Sequence, residues 1–178
     1  MSTTIVVCVY KEPIEWLSSL PETKVVYNKG DNYIDGSIVS ENIGREGESF
    51  LKYIIDYYDA IDERVFFLQG NPFDHCPDVI DRLNDDLFLG GLGSVISCDG
   101  NGSPHHPGLD INGICSAIGI GPRQSYEFYI GGQFAVSKSQ IKKRSLDWWK
   151  KCYEVYMENH NSPWIFERIW PLIFNEEV

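Results

Sequence analysis

The sequence predicts an α/β fold in one domain over residues 1–178, a mainly parallel sheet flanked by helices. Three observations carry that prediction. Residues 4–10 (Thr-Ile-Val-Val-Cys-Val-Tyr) and 65–68 (Val-Phe-Phe-Leu) are unbroken, almost wholly apolar runs, as expected of parallel strands buried on both faces. Segments of helical periodicity alternate with such runs, so the strands are joined by crossovers lying on the faces of the sheet. A chain of 178 residues, folding as one unit, buries roughly 70% of its unfolded surface, enough for a core on each side of a sheet.

Taken in order, the first strand ends at Lys11-Glu12-Pro13. Pro13 suits the first turn of a short helix through Ile14-Glu15-Trp16-Leu17, which closes before Pro21. Residues 24–27 form the second strand, and Asn28-Lys29-Gly30-Asp31-Asn32 is a turn. The right-handed crossover places that turn beside the carboxyl end of the first strand. Residues 42–49 lead into a helix in which Phe50, Leu51, Ile54, Ile55 and Tyr58 share one face. Glu46 and Glu48 fall in its first turn, where the helix dipole favours acids; Arg45 opposes the dipole, and a bound anion would account for it. The strand at 65–69 follows, then a short helix over 77–83 opened by Pro77.

Residues 90–125 are rich in glycine, serine, proline and asparagine and read as one long, folded loop. Residues 126–130 and 133–136 read as strand segments broken at Gly131-Gly132. Ser145 caps a helix carrying Leu146, Trp149, Tyr153 and Tyr156 at helical spacing, and Ser162-Pro163 opens a last helix that Pro171 must kink or stop.

Composition narrows the functional class. A net charge of −11 argues against a partner bound through its phosphate backbone, so no nucleic acid is expected. The apolar runs are too short to span a bilayer, and residues 1–7 lack the basic region and cleavage site of a signal peptide; both point to a soluble, cytoplasmic protein. Five scattered cysteines without a C-x-x-C pair fit a reducing compartment and neither a disulfide framework nor a zinc knuckle.

The stretch richest in chemistry is residues 64–75, where the apolar strand opens into Gln69-Gly70-Asn71-Pro72. In open α/β sheets ligands sit at the carboxyl ends of strands. Gly70 admits close approach to the backbone and Pro72 ends the ladder, so Gln69 and Asn71 project at the strand mouth.

Six stretches, in chain order, then carry a resemblance: Tyr10 to Leu17, Tyr27 to Asp31, Gly44 to Glu46, Phe67 to Phe73, Gly131 to Ser137 and Glu167 to Trp170. Together they resemble a family of glycosyltransferase-like domains of GT-A fold, algal-virus glycosyltransferases among them. The resemblance implies a single Rossmann-like GT-A-type domain that moves a sugar from a nucleoside-diphosphate donor, with UDP as carrier, to a glycan hydroxyl with inversion. It implies donor contacts from Tyr10, Lys29, Asp31, Arg45, Gln69, Gly70, Asn71 and Arg168, with Arg45 foremost on the diphosphate and Asp31 on uracil or ribose.

Glu167, among Trp164, Ile165, Phe166, Ile169 and Trp170, is the expected base, since apolar neighbours strengthen a carboxylate as a proton acceptor. Its place after a G-x-Q-F-x-V-S strand is also similar to metal-independent transferases of the core-2 branching type. His105 and His106 are expected to line an acceptor pocket; as adjacent residues they are poor joint ligands for zinc. GT-A enzymes hold a divalent cation with a D-x-D motif, and Gln69 and Asn71 stand where its carboxylates would be. Amides bind hard cations weakly, so either no cofactor is required or Mn²⁺ or Mg²⁺ is weakly held through Asp74, with Asp85-Asp86 and Asp99 as alternatives. Two rival functions keep the same pocket: a nucleotide-sugar hydrolase, and a carbohydrate- or nucleotide-binding module without catalysis.

Overall fold

The computed structural model describes residues 2–175. Its first half follows the predicted order. Strand β1 (Thr3–Val9) leads through a 3-10 turn, Glu15–Ser19, to β2 (Thr23–Asn28) and β3 (Ile38–Val39), then to α1 (Arg45–Asp56) and β4 (Arg64–Gln69). A further 3-10 turn, Pro72–Asp74, precedes α2 (Val79–Asn84). The second half comprises β5 (Gly90–Leu92), β6 (Val95–Asp99), α3 (Ile111–Ala117), β7 (Ser125–Tyr129), β8 (Gln133–Ser137), α4 (Lys138–Lys142), α5 (Leu146–Glu158) and α6 (Ser162–Asn175).

The main sheet has the order β3-β2-β1-β4-β8-β5. Neighbours from β3 to β4 pair in parallel, whereas β8 runs antiparallel to both β4 and β5. The apolar runs divide between two cores, as side chains alternate across a strand. Val6, Val65, Phe67, Phe134 and Val136 face one core with α1, α5 and α6; Ile5, Val7, Val9, Phe66, Leu68 and Ala135 face the other with α2 and the Glu15–Ser19 turn. Among the described residues no helix is long and apolar enough to cross a membrane.

Three expectations change. The long loop at 90–125 contains β5, β6 and α3. Gly90-Gly91-Leu92 has no strand propensity of its own and is fixed by pairing with β8. The two strand segments on either side of Gly131-Gly132 form as expected, but in different sheets. At φ 91° and 61° these glycines redirect the chain from β7, paired with β6 in a separate two-stranded sheet, to β8 in the main sheet. The last helix runs through Pro171 instead of stopping there; Ile169, Trp170, Ile173 and Phe174 are all buried, so packing holds both halves of α6 against the core.

Candidate functional site at the sheet switch point

From β1 the chain winds outward through β2 to β3, then returns through α1 to β4 on the other side of β1. The crevice at the carboxyl ends of β1 and β4 is therefore the topological switch point, where open α/β sheets take ligands. A cavity of about 240 Å³ lies there, lined by Cys8 in β1, Tyr10 and Glu12 after it, Lys29 after β2, Asn42, Arg45 and Glu46 at the start of α1, and Gln69 and Gly70 at the end of β4. The turn after β2 does adjoin β1: Lys29 N–H donates to the Val9 carbonyl at 2.8 Å, and Gly30 packs directly on the Tyr10 carbonyl.

Gln69 is half-buried and ties three elements together. Its side-chain amide donates to Glu46 Oε1 at 3.3 Å and to the Gly131 carbonyl at 3.0 Å, while its backbone N–H donates to Gln133 Oε1 at 3.0 Å. The N–H of Gly131 donates in turn to Glu167 Oε1 at 2.7 Å. A single residue, Gly131, thus links the amide at the mouth of β4, through its carbonyl, to the carboxylate expected to act as base, through its N–H. Gly70 is needed for close approach, and the group that approaches is Glu12. A Cβ at Gly70 would lie 2.8 Å from Glu12 Oε2, the same oxygen that accepts the backbone N–H of Tyr10 at 2.7 Å and of Lys11 at 3.0 Å.

Lys29 is placed differently from a donor contact. Its ammonium is buried and donates to Glu48 Oε2 at 2.6 Å, the Ile43 carbonyl at 2.5 Å and the Glu41 carbonyl at 3.2 Å, which uses all three hydrogens. It fastens the segment before α1. Arg45 is exposed at the cavity rim, its guanidinium 5.6 Å from the Trp164 ring centroid. His106 meets the same ring edge-on at 5.2 Å, so the 99–109 segment reaches the site through Trp164. His105 is exposed, as are Asp31 and Asp74; Asn71 is half-buried, and none of these four lines the cavity.

Glu167 is half-buried, and its surroundings are less apolar than its neighbours along the helix predict. Besides Gly131 N–H it accepts from Arg168 Nη1 at 3.1 Å. It also borders a small cavity of about 80 Å³ walled by Tyr129, Phe134, Trp170 and Phe174. Arg168 is buried: Nη1 also donates to the Trp164 carbonyl at 2.6 Å, the guanidinium lies over Phe128 at 4.6 Å, and Nε has no partner. It packs against the second sheet and orients Glu167, and it does not line the cavity.

Burial pushes the Cys8 thiol up to about 12, so a neutral sulfhydryl faces the cavity at neutral pH. No three His, Cys, Asp or Glu side chains are grouped to hold a metal ion among the described residues. Asp74 stands apart in an exposed turn, and Gln69 presents N–H groups to protein acceptors. Of the residues expected at a cation, Asp74 and Gln69 therefore do not form a joint site.

Cys8, Glu12, Asn42, Glu46 and Trp164 are the site residues that sequence reasoning left unassigned. Glu12 and Glu46 lay inside the resembling stretches; Trp164 had no local signal, because α6 is distant in sequence from every other wall. Compared with known proteins, residues 5–87 match the model of a family described as protein of unknown function (DUF3431). No curated protein and no solved structure matches the chain. Every residue lining the switch-point cavity falls within the matched stretch, whereas His106, Trp164 and Glu167 lie beyond it.

Proposed function

We propose that the switch-point cavity binds a nucleoside-diphosphate sugar, UDP-linked, and that the chain transfers the sugar to a glycan hydroxyl with inversion. The observation that carries this is the convergence of separate stretches on one crevice: Tyr10, Lys29, Arg45 with Glu46, and Gln69-Gly70 line it, and Glu167 is joined to Gln69 through Gly131. These are five of the six stretches that resemble GT-A-type transferases.

Arg45, the one exposed cation of the lining, neutralises the diphosphate, and Tyr10, exposed at the end of β1, offers its ring to the nucleoside. Glu167 takes the proton of the acceptor hydroxyl as that oxygen bonds to the anomeric carbon. The anomeric carbon–phosphate oxygen bond breaks, and its electron pair leaves with the nucleoside diphosphate. Gly131 N–H and Arg168 fix the orientation of the carboxylate, which is what a positioned base requires.

Thermal shift with nucleoside diphosphates and their sugars tests the binding step, because a ligand of the native state alone raises apparent stability. UDP or a UDP-sugar is expected to raise Tm, and no shift with any nucleotide sinks the proposal. Glu167→Gln is expected to keep that shift while losing transfer by about 10²-fold or more. Hydrolysis without transfer in the native chain would favour the hydrolase reading. Binding with neither reaction would favour a binding module, a reading supported by the commitment of the Gln69 amide to protein partners.

A further inference from the structure

Among the described residues Arg45 is the one non-glycine residue with positive φ, at 47°, directly after Gly44 at 62°. A left-handed conformation is strained for an L-residue, and it persists only where its surroundings over-determine it. Here two groups do so. The Tyr156 hydroxyl donates to the Gly44 carbonyl at 2.6 Å, and the Lys29 ammonium donates to the Ile43 carbonyl at 2.5 Å, so consecutive carbonyls are fastened from two sides.

Tyr156 also explains the glycines on either side of Arg45. A Cβ at Gly47 would lie 2.6 Å from its hydroxyl, and one at Gly44 would be caught between Glu48 Cβ at 2.8 Å and the tyrosine ring at 3.0 Å. The residue is 1% exposed and belongs to the core, 112 residues along the chain from the carbonyl it holds. Burial raises its ionisation far above the usual tyrosine range, so the O–H remains a donor at any working pH. The arginine's own contacts are loose ones, Nε 3.7 Å from Glu46 Oε2 and the guanidinium 5.6 Å from the Trp164 ring centroid, and such exposed pairs add little stability to set against the strain. Glycine would fit the same backbone without strain, and the arginine side chain remains 57% exposed.

We infer that Tyr156 is a positioning residue: by clamping the Gly44 carbonyl it holds Arg45 in a strained left-handed turn that presents the guanidinium to the phosphate groups of a bound nucleotide. This rests on the nucleotide reading of the cavity and adds to it a residue outside the lining. The strain is maintained for anion binding, so binding and stability should move in opposite directions at Arg45.

Titration calorimetry of the full chain with UDP and with uridine tests the inference, because only UDP carries the anion. Native protein is expected to prefer UDP over uridine. Tyr156→Phe should reduce that preference at least 5-fold with uridine affinity unchanged; Arg45→Gly should also lose the preference while melting at a higher temperature than the native chain. A Tyr156→Phe protein with the native preference, or with UDP and uridine weakened equally, overturns the positioning role. So does an Arg45→Gly protein that is less stable than the native chain, a result that decides the matter even if Tyr156→Phe fails to fold. Native protein that binds neither compound sinks the nucleotide reading first, and the positioning role falls with it.

Discussion

Replacing Lys29 with methionine separates a structural role from a ligand contact. The Lys29 and Glu48 side chains are 2% and 4% exposed, and their charged atoms lie 2.6 Å apart. Without the ammonium, the Glu48 carboxylate remains buried with only the Tyr153 hydroxyl at 3.1 Å and the Ser49 hydroxyl at 3.3 Å as donors, and the Ile43 and Glu41 carbonyls lose theirs. Breaking one partner out of a buried pair costs about 3–5 kcal/mol, a large part of the 5–15 kcal/mol that holds an ordinary domain together. Removing both charges, as in Lys29→Met with Glu48→Met, leaves no buried charge uncompensated. The double variant should therefore recover about 2–3 kcal/mol relative to the sum of the single losses. Urea unfolding followed by the fluorescence of the five tryptophans gives all four corners of the cycle. A single-variant loss below about 1 kcal/mol, or strict additivity, refutes the buried-clamp assignment. Loss of nucleotide binding at unchanged stability would instead return Lys29 to the donor contacts that the sequence predicts.

Two further predictions come from groups that burial holds neutral. The Cys8 and Cys76 thiols are pushed up to about 12 and about 11, and those of Cys98 and Cys152 are also raised, each mainly by desolvation. At pH 8 a thiol with a pKa of 12 is thiolate in about one molecule in 10⁴, against about a quarter for an unperturbed cysteine. Labelling of these four cysteines with iodoacetamide should be at least 100-fold slower in native protein than in urea, and rapid stoichiometric reaction of native Cys8 would contradict its placement. Tyr27, Tyr126 and Tyr156 are likewise raised above the ordinary tyrosine value by burial. The unfolded chain's thiols begin to ionise near pH 8 and its tyrosines near pH 9, and the folded-state values of both lie higher, so the stabilising effect is complete below about pH 7.5. It is lost in two stages as pH climbs, when the unfolded chain releases protons that the folded chain keeps. The urea midpoint should be level near pH 7, decline from about pH 8 and fall more steeply above pH 9; a midpoint that is level or rising through pH 11 contradicts this.

Much of the fold was legible from local pattern alone. The unbroken apolar runs at β1 and β4 could only be strands covered on both sides, and the face formed by Phe50, Leu51 and Ile54 required α1 to lie on the sheet. The mouth of β4 was legible only in part: Gln69 and Gly70 line the crevice, whereas Asn71 does not, and the group that packs on Gly70 is Glu12. The acids and amides around it were harder to assign, because residue type does not show which partner a side chain will take. Lys29 sits in the anticipated turn, yet its ammonium is consumed by Glu48 and two carbonyls that only the packing of α1 brings within reach.

By itself, then, the sequence determined the elements whose stability is local or periodic: the parallel strands, the amphipathic α1, the capped α5 and the glycine-bearing strand mouth. The tertiary structure alone decided the rest, because those features depend on contacts between distant segments. A strand as plain as Gly90-Gly91-Leu92 exists only because β8 offers it a ladder. Gln69 and Glu167 both bond to Gly131 only because α6 returns across the sheet. The left-handed turn at Arg45 is held by a tyrosine that no local pattern connects to it.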